Sequence, residues 1–458
     1  EPQPPDPNNL SFDKPTHTNF NDTGSYLAVD GNTGSGWQAD MYPAYLDIDL
    51  EENYHLSEIT VHTPTSGYTQ YTVYTSMDGR DFELVADRSK NHDVGTTEGD
   101  TFTLNKEARI VRVYLEYYSA SNRPTLNEVT VKGTATNTPV QTAPAVTVEA
   151  FENTSYADPI TEQDTIDAVK GIITRQVGAA YVDWFTFALA DGPNGYDYFT
   201  LSDESGKITG NNGVSLATGV NHYLKYFCNV HISQVGNQVN MPAQIVPVGG
   251  TIHKETKYPV RYAYNYCTHS YTMSFWNEPE WQNELDWQAL NGVNVVLDIT
   301  GQEEVWREFL MSVGYTHQEA KDFLAGPGYY AWAYMANLTG FGGPIHDSFL
   351  TERVELARKN QRFMRVLGME PVLQAFSGMV PVDLSAHDPS AAIITQGNWC
   401  SFRRPDMLKT DTTTYDEYAR KFYAAQKRVF GDVKYYATDP FHEGGNTGGM
   451  SPTTVASA

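Results

Sequence analysis

The stretch VKYYATDPFHEGG occupies residues 433–445 and follows an amphipathic helix pattern that ends at Gly431. Its first seven residues are typical of a short strand, and its last six carry polar side chains and glycines. A strand that follows a helix and leads into a polar loop is the repeating unit of parallel α/β folds. The stretch therefore predicts a strand that delivers Glu443 to one end of a parallel sheet.

The same unit recurs three times earlier in the chain. Strands are predicted within RYAYNYCT (261–268), NVVLDIT (294–300) and EPVLQAFSG (370–378), and helices within EPEWQNELDWQALNG (278–292), ERVELARKNQRFMRVLG (352–368) and YDEYARKFYAAQKRVFG (415–431). Glycines at 292, 368 and 431 predict the helix ends, and capping boxes are predicted at Thr316 to Glu319 and at Thr414 to Glu417. Four such units amount to the first half of a (β/α)8 barrel, which we assign to residues 256–458.

Side chains at the carboxyl ends of barrel strands face the active site in folds of this type. The predicted ends carry Asn265, Cys267 and Thr268 on the first strand, Asp298, Gln302 and Glu303 on the second, Phe376 and Ser377 on the third, and Asp439, His442 and Glu443 on the fourth. Of these, Glu443 suits a general acid, because a carboxyl group can protonate a leaving glycosidic oxygen where its surroundings raise its pKa. Spacing alone leaves open that Glu443 is a solvated loop residue.

Composition narrows the classes of function. The 458 residues carry a net charge of −25, which argues against a nucleic-acid partner. No apolar run approaches the roughly 20 residues of a membrane span, and the first residues lack the pattern of a signal peptide. The three cysteines, Cys228, Cys267 and Cys400, indicate neither a disulfide framework nor a zinc site.

Two further regions precede the barrel. Residues 1–133 alternate apolar and polar residues in YLDIDL, EITVHT, QYTVYTS, RIVRVYLEY and NEVTVKG, which predicts a β-sandwich of the jelly-roll kind. Residues 134–145, TATNTPVQTAPA, predict a linker. Residues 146–255 predict a small α/β domain with helices in DTIDAVKGIITRQV (164–177) and in GVSLATGVNHYLKYFCNVHI (213–232), the latter leading into a strand. The predicted fold is thus multidomain.

The sandwich region resembles family 32 carbohydrate-binding modules, which are similar to discoidin domains. The resemblance rests on AVDGNTGSGW (28–37), VYTSMDGRDF (73–82) and TLNEVTV (125–131). It implies a structural Ca²⁺ bound by Asp30, Asn32, Ser35 and Glu128, and a Gly-rich loop can supply the oxygen ligands that this cation needs. An Asp-Gly turn without metal is the alternative. Candidate sugar-contacting residues are Tyr42, Tyr68, Tyr117 and Tyr118.

From residue 213 onward the chain resembles glycoside hydrolase family 89, the α-N-acetylglucosaminidases. The segments YNYCTHSYT, DWQALNGVNVVL, GQEEVW, GPGYYAWAYMANLTGFGGP, GMEPVLQAFSGMVP and DPFHE follow the family in order. The resemblance implies that Glu443 is the catalytic acid/base and that the sugar contacts Asn265, Cys267, Glu303, Phe341, Phe441 and His442. Phe341 replaces a tryptophan of other members, and His442 replaces an asparagine of some.

The resemblance implies a retaining exo-α-N-acetylglucosaminidase that needs no cofactor for catalysis and acts on terminal α-linked N-acetylglucosamine, for example in mucin-type glycans. A retaining enzyme needs a second carboxylate about 5 Å from the first. In the family it comes from the seventh strand, so we expect the nucleophile beyond the C-terminus of this chain. The resemblance also implies a secreted or cell-surface bacterial protein that binds host glycans through its first module. The alternative is a non-catalytic lectin or adhesin with a vestigial barrel.

Overall fold

A computed structural model describes residues 6–19, 24–140, 146–202 and 206–457. The part of the linker at 141–145 therefore lies outside the described residues. Three large hydrophobic cores follow one another along the chain. The middle core is shared, because Leu285 and Val296 of the third region pack with Val169 and Val220 of the second. The predicted fold class is confirmed: a β-sandwich, a small α/β domain and the first half of a barrel.

The first domain is built from antiparallel strands. They are β1 (Thr16–Thr18), β2 (Trp37–Gln38), β3 (Ala44–His62), β4 (Thr69–Ser76), β5 (Glu83–Asp87), β6 (Asp100–Tyr118), β7 (Thr125–Leu126) and β8 (Glu128–Ala135). The larger sheet runs β1-β3-β6-β4-β5, with β8 also paired to β3, and β2 pairs with β7. Alternate residues of β3 and β6, such as Leu46 opposite Val113, are fully buried, which accounts for the period of two in the sequence.

The second domain places helices against a four-stranded sheet. Its elements are α1 (Glu162–Gln176), β9 (Thr186–Leu189), β10 (Asp197–Ser202), β11 (Lys207–Gly210), α2 (Gly213–Tyr226) and β12 (Ile252–Thr256). The sheet order is β12-β10-β11-β9. The prediction of a strand directly after α2 is wrong. Asn229 has a left-handed φ of +53°, and the segment forms only an isolated bridge between His231 and Gln238.

The third region contains the half barrel and a long excursion. In chain order its elements are β13 (Tyr262–Ala263), α3 (Tyr266–Thr272), α4 (Glu278–Leu290), β14 (Val295–Leu297), α5 (Gln302–Ser312), α6 (His317–Phe323), α7 (Tyr330–Tyr334), α8 (Asp347–Leu367), β15 (Glu370–Gln374), β16 (Met379–Val380), α9 (Leu384–His387), β17 (Ile393–Ile394), β18 (Asn398–Trp399), β19 (Phe402–Arg403), β20 (Asp406–Leu408), α10 (Thr413–Phe430), β21 (Tyr435–Ala437) and α11 (Pro452–Ala456). Strands β13, β14, β15 and β21 form one parallel sheet in that order, as predicted.

The excursion between β15 and α10 carries two small antiparallel sheets. One runs β16-β20-β17, and the other is the hairpin of β18 and β19. The loop of this hairpin consists of Cys400 and Ser401, both with left-handed φ values of +47° and +73°. Positive φ at both central positions matches the right-handed twist of a two-residue hairpin. The hairpin is named the β18–β19 hairpin below.

Two local predictions fail and one holds. The first barrel strand ends at Ala263, because Tyr264 has a left-handed φ of +78° and α3 begins two residues later. Cys267 and Thr268 therefore lie on a helix rather than at a strand end. The box predicted from Thr414 to Glu417 is also wrong, since the capping hydroxyl is that of Thr412, which accepts from the Tyr415 N–H at 3.2 Å. The box at Thr316 forms with both reciprocal bonds.

The described helices lack the properties of membrane-spanning helices. Within the described ranges, none of them combines the length and the apolar character that a bilayer span requires.

Candidate active site

Glu443 lies on a tight turn that follows β21. Phe441 and Glu443 both have left-handed backbone conformations, with φ of +59° and +47°. The N–H of Gly445 donates to the carbonyl oxygen of Phe441 at 3.1 Å and closes the turn. Such conformations are uncommon outside glycine and persist where neighbouring groups hold them. The turn leaves the Glu443 side chain exposed beyond the carboxyl end of the sheet.

The carboxylate of Glu443 has a specific partner in the β18–β19 hairpin. The indole N–H of Trp399 donates a hydrogen bond to Oε2 of Glu443. A carboxylate on a free loop would sample several rotamers, and this bond favours one of them.

Arg404 fastens the backbone of the same turn. Its guanidinium donates to the carbonyl oxygens of His442 and Glu443, both at 2.9 Å, and to Oδ1 of Asn337 at 3.0 Å. The residue is only 4% exposed. Burial lowers the pKa of Arg404, and the charge of Glu443 acts in the opposite direction. Arg404 thus supplies the support that the left-handed turn requires.

His442 is oriented by the same network. The amide nitrogen of Asn337 lies 2.8 Å from Nδ1 of His442, and Nε2 of the ring lies 3.5 Å from a carboxylate oxygen of Asp439. Because an amide N–H can only donate, Nδ1 accepts and Nε2 carries the proton. The orientation of Asn337 is fixed in turn, since its oxygen accepts from Arg404. His442 therefore presents a defined tautomer beside Glu443.

Aromatic rings line one side of the turn. The ring centroid of Phe341 lies 4.7 Å from that of Phe402, and Phe402 lies 6.2 Å from Trp399. Tyr329 packs edge-on against Phe341 at 4.6 Å. Phe341 thus belongs to the aromatic group that ends at Glu443. Aromatic faces suit the apolar C–H surface of a sugar ring.

Asn265 and Cys267 lie directly after the first barrel strand, at the start of α3. Burial raises the pKa of the Cys267 thiol, and the negative charges of Asp439 and Glu443 act in the same direction. Asn265 is the N-cap of α3, where its Oδ1 accepts from the Thr268 N–H at 3.1 Å, and it is exposed. Both residues therefore lie on the face of the half barrel that carries Glu443.

Glu303 is in a different position from the other candidates. It lies in the first turn of α5 and is 1% exposed. Burial raises the pKa of its carboxyl group, while the charge of Arg353 acts against that rise. Among the described residues, neither carboxylate oxygen has a hydrogen-bond partner. The structure therefore places Glu303 in the interior of the half barrel.

Sequence reasoning missed three residues of this site. Trp399 and Arg404 come from the excursion between β15 and α10, and Asn337 comes from the loop after α7. The available signal was the segment NWCSFRR (398–404), in which two aromatic residues and two arginines fall within seven positions. That density is unusual for a loop, but nothing local links it to a turn about 40 residues later.

The predicted metal residues do come together in the sandwich. Oδ1 of Asp30 accepts from the Asn32 N–H at 2.9 Å, and Oδ2 accepts from the Ser35 hydroxyl at 2.9 Å. The N–H of Gly31 donates to Oε1 of Glu128 at 3.2 Å. Oε2 of Glu128 is buried and has no hydrogen-bond partner in the part of the chain that the structure describes. Burial, followed by the charge of Asp30, raises the pKa of Glu128 to about 7.

These residues fit a Ca²⁺ ion by their chemistry. An unpartnered buried carboxylate oxygen beside a second carboxylate is costly without a cation. The described residues contain no cluster of three or more His, Cys, Asp or Glu side chains suited to a metal. Two carboxylates would therefore need amide, hydroxyl and main-chain oxygens as further ligands, which Ca²⁺ accepts. The ion's role stays a prediction.

We expect Ca²⁺ to raise the unfolding temperature of the sandwich by several degrees, because a ligand that binds only the folded state stabilises it by mass action. Differential scanning calorimetry with 1 mM Ca²⁺ and with a chelator measures the shift. Glu128→Gln should abolish the response. The matched control is Glu58→Gln, which removes a surface carboxylate that pairs with Lys132 at 2.8 Å. An equal response in Glu128→Gln would contradict the site.

The candidate sugar-contacting tyrosines of the sandwich form a partly exposed group. Tyr117 is 43% exposed, and its ring lies 6.4 Å from Tyr42 and 5.8 Å from Tyr68. Tyr118 is buried, and its hydroxyl lies 2.5 Å from that of Ser66. Three of the four tyrosines are thus available at the surface, while Tyr118 is part of the core.

The layout combines a sandwich module with a half barrel that presents a carboxylate at the end of its fourth strand. Comparison with known families gives the particular domains. Residues 14–129 match the F5/8 type C domain, residues 167–248 match the alpha-N-acetylglucosaminidase (NAGLU) N-terminal domain, and residues 261–458 match the NAGLU tim-barrel domain. The chain therefore carries the two NAGLU domains behind a discoidin-like module.

Individual proteins support the same assignment. Human alpha-N-acetylglucosaminidase is 31% identical over 287 residues, which are 60% of this chain and 38% of that protein. A family 89 glycoside hydrolase from Clostridium perfringens, solved with 2-acetamido-1,2-dideoxynojirmycin, is 38% identical, with a TM-score of 0.89 over 98% of this chain and 53% of that one. A doubly Glu→Gln-substituted form of the C. perfringens protein, with a TM-score of 0.88 and the same identity and coverage, was solved with its substrate GlcNAc-alpha-1,4-galactose. The chain thus spans about half or less of these relatives.

Proposed function

We propose that the protein containing this chain is a retaining exo-α-N-acetylglucosaminidase. The observation that carries the proposal is the fixed turn at the end of β21. Trp399 holds the carboxylate of Glu443, and Arg404 holds its main chain. Acid/base catalysis needs a carboxyl group that is accessible and held in one orientation, and this turn meets both conditions.

The proposed roles follow from the position of each residue. Glu443 protonates the leaving glycosidic oxygen and then activates the water that releases the sugar. His442, with its proton on Nε2, and Asn265 are placed to bind hydroxyl groups. Phe341 and Phe441 offer apolar surface, and Cys267 adds a small neutral side chain beside Glu443. In the retaining mechanism a second carboxylate acts as nucleophile, and we assign that role to none of the described residues.

The proposed substrate is terminal α-linked N-acetylglucosamine on glycoconjugates such as mucin-type glycans. The C. perfringens relative was solved with GlcNAc-alpha-1,4-galactose, which supports the linkage. The net charge of −25 disfavours polyanionic glycans as substrates. The partly exposed tyrosines Tyr42, Tyr68 and Tyr117 support glycan binding by the sandwich, and a sugar-binding module suits a secreted or cell-surface bacterial enzyme.

The complete protein should release p-nitrophenol from its α-N-acetylglucosaminide at least about 100-fold faster than from the β-anomer. A site shaped for one anomer positions its acid on one side of the scissile bond only. Colorimetric turnover checks the rate, and ¹H NMR of the first-formed sugar should show the α-anomer if configuration is retained. No turnover together with retained glycan binding would favour the non-catalytic lectin.

A further inference from the structure

The sandwich is joined to the barrel by several polar contacts. Asp322 of α6 accepts from the Tyr45 hydroxyl at 2.6 Å and lies 2.5 Å from Nε2 of His17. The guanidinium of Arg80 lies 2.6 Å from a carboxylate oxygen of Asp347, the first residue of α8. Salt bridges in a partly buried interface fix relative orientation even when they add little net stability. The sandwich is therefore docked in one orientation on the barrel.

A further contact reaches the β18–β19 hairpin. Oδ1 of Asp40 accepts from Arg123 at 2.6 Å within the sandwich, and Oδ2 accepts from Nη1 of Arg403 at 3.0 Å across the interface. Arg123 also donates to the main-chain oxygen of Ala39 at 3.0 Å, which holds Asp40 in place. Arg403 directly precedes Arg404 and pairs across the hairpin with Asn398, the neighbour of Trp399.

The hairpin needs such support because its strands are very short. Each strand has two residues, and two-stranded hairpins of this size are marginal by themselves. Its other anchors include the packing of Phe402 on Phe341 and the hydrogen bond from Trp399 to Glu443. The hairpin carries Trp399 and leads directly into Arg404, and both residues hold the Glu443 turn. A contact that fixes the hairpin therefore fixes the candidate acid as well.

We propose that the sandwich module is a positioning element of the active site. Asp40, through Arg403, holds the β18–β19 hairpin in the place where Trp399 and Arg404 orient Glu443. Asp40 and Arg403 are positioning residues, since neither contacts Glu443 itself. This inference rests on the proposed function for its kinetic consequence, whereas the mechanical coupling stands on the contacts alone.

The test compares Asp40→Asn with Asp49→Asn in the complete protein. Asp49 also accepts from an arginine, Arg109, with its Oδ1 at 2.7 Å, but this pair lies within the sandwich. We expect Asp40→Asn to lower kcat about 3- to 10-fold with KM changed less than 2-fold, because the partly exposed pair with Arg403 is worth about 1 kcal/mol. Asp49→Asn should leave both constants unchanged, and Asp40→Glu should restore part of kcat.

Two further measurements separate positioning from a general effect on folding. In a double-mutant cycle, Asp40→Asn and Arg403→Gln together should cost no more than the worse single change, because both remove one contact. Hydrogen exchange monitored by mass spectrometry should be at least 3-fold faster in Asp40→Asn for peptides covering residues 398–404 and 441–445. In Asp49→Asn it should be unchanged.

The outcomes distinguish this inference from the proposed function. Turnover by the wild-type protein with equal kcat in Asp40→Asn and Asp49→Asn would overturn the positioning role and leave the glycosidase intact. Unchanged hydrogen exchange at 398–404 and 441–445 would overturn the mechanical coupling whether or not the protein is an enzyme. Absence of wild-type turnover with accelerated exchange would contradict the proposed function and support the coupling.

Discussion

Glu443→Gln should lower kcat for disaccharide substrates about 10²- to 10⁴-fold in the complete protein, the range that general acid–base catalysis contributes. The amide cannot donate a proton to a leaving sugar oxygen or take one from water, although it can still accept from Trp399. Steady-state kinetics on GlcNAc-α-1,4-galactose measures the change. KM should change little, because the substitution preserves the size of the side chain.

A substrate with a different leaving group gives a second test of the role of Glu443. An α-aryl substrate releases p-nitrophenolate, which needs no proton, so the first step should suffer less than with the disaccharide. Glu417→Gln is the matched control, since it makes the same chemical change at an exposed position in the first part of α10. Equal activity of Glu443→Gln and Glu417→Gln would remove Glu443 from the catalytic role.

Local patterns were sufficient for the barrel architecture. Helices α8 and α10 bury one face each and are capped at glycine, so their period and caps are visible in the sequence. The strands between them are short and apolar, and parallel pairing follows from the alternation. The first strand was misjudged at Tyr264, whose left-handed backbone is set by tertiary surroundings rather than by residue type.

The candidate site was predictable only in part. Asp439, His442 and Glu443 follow a strand directly, so the barrel rule predicted them, whereas Phe441 was predicted from the family resemblance. Trp399 and Arg404 contact the same turn from 44 and 39 residues away, and no local pattern encodes such a contact. Glu303 is buried in the first turn of α5, and a position near a strand end does not reveal in advance whether the following helix turns the side chain inward.

Arg404→Met should lower kcat about 10- to 100-fold and reduce the free energy of unfolding by about 3 kcal/mol. The first effect follows because a displacement of about 1 Å at a catalytic group costs up to about 10²-fold in rate. The second follows because the carbonyl oxygens of His442 and Glu443 lose their donor, a guanidinium that is itself buried. Chemical denaturation and steady-state kinetics at a temperature where the variant is folded measure the two effects separately.

The loss of kcat compared with the loss of folding free energy shows whether Arg404 positions Glu443 or only stabilises the fold. A residue that only stabilises the fold would leave kcat per folded molecule unchanged once the unfolded fraction is removed from the calculation. Arg404→Lys keeps the positive charge, but an ammonium group lacks the planar guanidinium that reaches three acceptors. This variant should therefore retain more of the free energy of unfolding than of kcat. Arg420→Met, an exposed change on α10, is the control for losing an arginine. Full kcat in folded Arg404→Met would show that the turn holds Glu443 without this guanidinium, and Trp399 would then be the remaining residue that orients the acid.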